Sequence, residues 1–69
     1  MSTLKSELAG YRSLVVNGLT SKAALNSLLA NQREVASQSP SSVIDTARIA
    51  SAERTIVAIT TVIGEIDNG

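Results

Sequence analysis

The side chains able to carry chemistry in this chain are ten serines, two lysines, four arginines and six carboxylates, with no histidine and no cysteine. A serine nucleophile needs a neighbouring base to take its proton, and without histidine only Lys5 or Lys22 remains for that role. Neither lies in a stretch apolar enough to strip its charge, so a Ser-Lys pair is not expected. Acid/base work by paired carboxylates would draw on Glu7, Glu34, Asp45, Glu53, Glu65 and Asp67. On a helix, Asp45 and Glu53 fall about 80° apart and two turns from each other, so they do not converge. The absence of cysteine removes disulfides, thiolate zinc sites and redox centres. No acidic cluster with glycine suits calcium or magnesium, and Gly10, Gly18, Gly64 and Gly69 stand alone rather than in a phosphate-binding loop. The expectation is a protein without catalytic residues, cofactor, metal or small-molecule substrate.

Charge narrows the partners. Six basic residues balance six acidic ones, which gives no electrostatic pull toward a phosphate backbone or an anionic membrane. Lys22, Asn26 and Arg33 after the Asn17-Gly18-Leu19 turn are the nearest approach to a helix-turn-helix reader, and they supply too few cations. No nucleic acid and no membrane is expected as a partner. The stretch from Met1 to Gly10 carries Lys5 and Glu7 and has no apolar core like that of a signal peptide. The longest apolar run, Ile56 to Ile63, would span about 12 Å as a helix against the ~30 Å of a bilayer core. A soluble location, intracellular or particle-associated, is the expectation.

The elements that must carry these residues are helical. Apolar positions recur at three and four, no run alternates with period two, and punctuation is confined to Asn17-Gly18 and to the Ser37–Ser42 segment around Pro40. The pattern predicts an all-α fold, a single domain over residues 1–69 built as a small three-helix bundle with helices near 3–17, 20–37 and 40–66. Leu4, Leu8, Tyr11 and Val15 line one face of the first helix; Leu25, Leu28, Leu29, Val35 and Ala36 line the second. Ser2 or Thr3, Thr20 or Ser21, and Ser39 are the candidate caps, with Pro40 in the first turn of the third helix. The heptad phase also runs through the first break, so a two-helix hairpin with helices 3–37 and 40–66 is the alternative.

The third helix carries two apolar rows. Ile49, Ala52, Ile56, Ile59, Ile63 and Ile66 form one seam with heptad spacing. Roughly opposite run Val43, Ala47, Ala50, Val57, Thr61 and Gly64, interrupted by Arg54. All seven leucines occur at or before Leu29 and all six isoleucines at or after Ile44, as though the two sets faced each other. Leu4, Leu8, Tyr11, Val15, Leu25, Leu28, Leu29, Ile49, Ile56, Ile59 and Ile63 are therefore the candidate core. If the isoleucine seam is internal, Val43, Ala47, Ala50, Val57 and Thr61 become the candidate interface. If it is intermolecular, isoleucine at both core positions favours three or four strands.

Small size points the same way. A chain of 69 residues without staples gains stability by assembling, and 43% hydrophobic against 17% charged residues is a poorly charged surface for a monomer. The expected partner is another copy of the chain or another protein. Residues 1–33 carry about +3 and residues 34–69 about −3, which suits antiparallel packing within or between chains. Glu65 and Asp67 oppose the dipole at the end of the third helix, where fraying, or neutralisation by a partner's cations, is expected. The function these features suggest is structural or interaction-based. Size and composition suit a small bacteriophage or bacterial accessory or particle component. The alternative is a regulatory binding module, an inhibitor of a partner protein or, as a lesser option, a helix-turn-helix nucleic-acid binder.

Overall fold

Gly18 ends the first helix. Its φ of 70° lies in the left-handed region that other residues avoid. There its N–H donates to the Val15 carbonyl at 3.1 Å and the Leu19 N–H donates to the Leu14 carbonyl at 2.9 Å. This pair of bonds satisfies carbonyls that a helix end otherwise leaves open. The next helix starts at Ser21, whose extended backbone allows its Oγ to accept the Ala24 N–H at 3.3 Å. The computed structural model, which describes residues 4–68, accordingly holds three helices: α1 (Leu4–Val16), α2 (Lys22–Ala36) and α3 (Val43–Asn68). The unbroken helix over 3–37 is excluded. The candidate caps Ser2 and Thr3 lie outside the described residues.

Two boundaries of α3 differ from the pattern-based expectation. Pro40 and Ser39 precede the helix rather than opening it, because Ser42 takes the cap: its Oγ accepts the Asp45 N–H at 3.1 Å and its carbonyl accepts the Thr46 N–H at 3.0 Å. The Asp45 carboxylate reaches back to accept from the Ser41 hydroxyl at 2.6 Å, which locks the entry turn. At the far end the helix continues past Ile66 to Asn68. Its closing acids do not fray or await a partner. Arg12 grips Glu65, with Nε to Oε1 at 2.9 Å and Nη2 on Oε2, while the Lys22 ammonium pairs with Asp67.

These pairs also fix direction. Glu7 meets Arg54 and Thr55 while Arg12 meets Glu65, so α1 runs parallel to α3. Lys22 meets Asp67 and Gln38 meets Arg48, so α2 runs antiparallel to it. Both helices pack along α3, and α1 and α2 bring no Cα atoms within 8 Å of each other. Thirteen residues of α1 reach about 20 Å, whereas the 26 of α3 reach about 39 Å. Only the C-terminal half of α3 has α1 beside it.

The core sits where the leucines of α2 meet the isoleucine seam. Leu25, Leu29, Ile59 and Val62 are buried there, with Leu8, Tyr11, Val15, Leu28, Ile56, Ile63 and Ile66 packed against them. Ile49 is half-buried. Leu4 departs from expectation: it is 38% exposed, because it lies in the opening turn of α1, ahead of the Glu7 contacts that fasten the helix to α3. Ala58 and Val62 were outside the expected core and are almost wholly buried. They lie on the side of α3 that α1 covers, so the buried arc is wider than one heptad seam.

The result is an extended molecule of 40 × 24 × 18 Å. Its surface of 4597 Å² exceeds the ~4,100 Å² usual for a compact monomer of this mass. Its radius of gyration of 12.7 Å likewise exceeds the ~11 Å typical of this length. Two short helices on one side of a long one leave the other side bare.

Candidate interaction surface

That bare side carries the second apolar row. Val43, Ala47, Ala50, Val57 and Thr61 are all exposed, Val43 to 87% and Val57 to 50%. Ile44 adds a further 79%-exposed side chain in the first turn of α3, below the reach of α1. Arg54 and Gly64 complete the row and are half-exposed. Every residue of the candidate interface therefore shares one accessible face. The isoleucine seam faces the leucines of the same chain, which leaves the second row as the unpartnered one.

Polar groups border this face, and Arg54 lies along its edge beside Ala47 and Thr61. The Arg54 Nε donates to Glu7 Oε2 at 3.1 Å, and the Thr55 hydroxyl donates to Glu7 Oε1 at 2.6 Å. Glu7 is the most sheltered of the paired acids, with its side chain 16% exposed, and it ties α1 to α3. Thr61 turns its hydroxyl onto the Val57 carbonyl at 2.8 Å, which leaves its methyl group for contact. Glu53, exposed at the other border of the row, has no ion pair among the described residues.

The shifted titratable groups report contacts that hold the fold. The hydrogen bond from Arg12, together with its charge, holds Glu65 below the ordinary carboxylate range, and the same bond raises Arg12. Hydrogen bonds from the Ser41 hydroxyl and backbone lower Asp45, with help from the charge of Arg48. Burial, then the charge of Glu7, pushes the Tyr11 phenol up.

Concave features are shallow. A cleft of about 280 Å³ lies between the ends of α1 and α3, lined by Arg12, Val15, Val16, Val62, Glu65 and Ile66. Its only charged groups already pair with each other. A second depression on α1 is lined by Glu7, Gly10, Tyr11 and Leu14, and its one carboxylate is taken by Arg54 and Thr55. Among the described residues no three acidic side chains gather as a metal would need. No helix among them is long and apolar enough to cross a membrane. Lys22 and Arg33 are exposed on α2, but Lys22 is engaged by Asp67. No family model, curated protein or solved structure matches the chain.

Proposed function

We propose that the chain is a non-enzymatic structural protein that self-associates by burying the exposed face of α3 against another helix, with a particle or accessory complex as its setting. The observation that carries this is the exposure of Val43, Ala47, Ala50, Val57 and Thr61 as one row, on a helix whose opposite face is already used for the core. A helix apolar on nearly all sides is characteristically buried on more than one of them. Among the described residues no further element supplies the second cover: α1 and α2 both stand on the first side.

Thermal unfolding followed by circular dichroism over a hundredfold range of protein concentration tests this. Binding of folded chains to each other raises the midpoint with concentration. The native chain is expected to show that rise and Val57→Asp to lose it while keeping its helix content at low concentration. A midpoint independent of concentration in the native chain overturns the proposal.

A further inference from the structure

We infer that the occupant of the bare face is a second copy of the same chain, whose α3 lies parallel and in register with the first. This rests on the self-association just proposed and adds the orientation and the residues that select it. Val43, Ala50, Val57 and Gly64 recur every seven residues, so they form the line along which two helices come closest. Successive residues of a helix are about 100° apart, which sets Glu53 on one border of that line and Arg54 on the other.

Symmetry then decides between orientations. In a parallel pair related by a two-fold axis along the helices, the border that carries Glu53 meets the partner's opposite border, at nearly the same height. Glu53 then faces the partner's Arg54, twice in the dimer. In an antiparallel pair each border meets its own copy. Aligning Val43 with Gly64 and Ala50 with Val57 in that way sets the two Glu53 carboxylates against each other. Opposite charges attract across such a border and like charges repel. Glu53 is exposed without an ion pair among the described residues, and Arg54 is held by Glu7 through Nε alone. Glu53 is free to meet a second chain, and Arg54, its side chain 38% exposed, can do so while it keeps Glu7.

Two further observations fit the parallel arrangement. It stacks the acidic ends of both α3 helices together, and in each chain those acids are already neutralised by Arg12 and Lys22. Gly64 lies inside α3, where glycine is a poor helix former, and a Cβ there would meet nothing of its own chain within 4 Å. The space above it is open to a neighbouring helix.

Introduced thiols report the register cleanly because the chain has no cysteine of its own. Ala50→Cys and Val57→Cys are oxidised by air with a copper catalyst, alone and mixed, with Asn31→Cys on α2 as the collisional background. Parallel register predicts that each of the two single variants forms a covalent homodimer well above that background. It also predicts that mixing gives no covalent 50–57 heterodimer, since those positions are about 10 Å apart along α3, beyond disulfide reach. Crosslinking only in the mixture, at only one of the two positions, or at neither overturns the inference. Glu53→Gln gives an independent sign: parallel pairing predicts association weakened about threefold, whereas strengthening shows the antiparallel pair. A concentration-independent native midpoint removes the self-association itself, so the two failures are distinct.

Discussion

Ile59 and Val57 stand two residues apart on one helix, yet Ile59 has no exposed surface and Val57 keeps half of its own. Two residues are about 200° of rotation, enough to pass from the arc that α1 and α2 share to the arc that neither reaches. Both arcs are apolar in composition, so burial here is decided by which side the short helices occupy. That side is set by discrete contacts: the leucines of α2 on the isoleucine seam, and the ion pairs from Glu7, Arg12 and Lys22. The sheltered arc holds one chain together, and the bare arc is the one we propose holds chains to each other.

The sharpest way to break this comparison is Ile59→Ala. Removing a fully buried side chain leaves a cavity, and the expected loss is about 3 kcal/mol. Because a chain this small has only a few kcal/mol to lose, urea titration at low concentration should find it largely unfolded. Val57→Ala under the same conditions is expected to change the midpoint by less than about 0.5 kcal/mol. Equal losses at the two positions would mean that the second arc is sheltered within one chain.

Glu7→Gln tests what holds α1 in place. The carboxylate accepts from Arg54 and Thr55 in a half-buried setting, and its neutralisation is expected to cost about 1.5 kcal/mol of urea stability. Amide exchange should accelerate in α1 before α2. Gly18→Ala is smaller: a Cβ meets nothing there, so only the left-handed backbone is penalised, by about 1 kcal/mol.

The smallest effects are those of pH. Glu65 titrates below its usual 4.5 when folded, so its contribution is present above that value and fades as pH falls through the lower folded one. Glu65→Gln should therefore flatten the acid limb of stability. Tyr11 titrates above 10.0 when folded, so its contribution holds below 10.0 and fades as pH rises through the folded value. As the only aromatic, it can be followed by phenolate absorbance, with a midpoint above that of the unfolded chain.

Much of this architecture was legible in the sequence. Gly18 and Leu19 announced the break, and the leucine and isoleucine sets announced the core. What escaped depends on side chains far apart in sequence. Ala58 and Val62 are buried by α1, which shares α3 with α2 and widens the arc beyond the heptad seam. The tail through Asn68 is ordered by Arg12 and Lys22, more than forty residues away. Ser42 displaced Ser39 as the cap because Asp45 completes the turn with Ser41, a choice among four neighbouring serines and a proline that composition leaves open. The candidate interface was readable because it is a row on a single helix, where spacing alone sets the geometry.

The most direct measurement is sedimentation equilibrium of the native chain from micromolar to millimolar concentration, beside Val57→Asp. Burial of the Val43–Ala50–Val57 row predicts a native mass that climbs from 7.2 kDa toward twice that value, and a variant that stays at the lower one. A native chain that remains at 7.2 kDa throughout would contradict it.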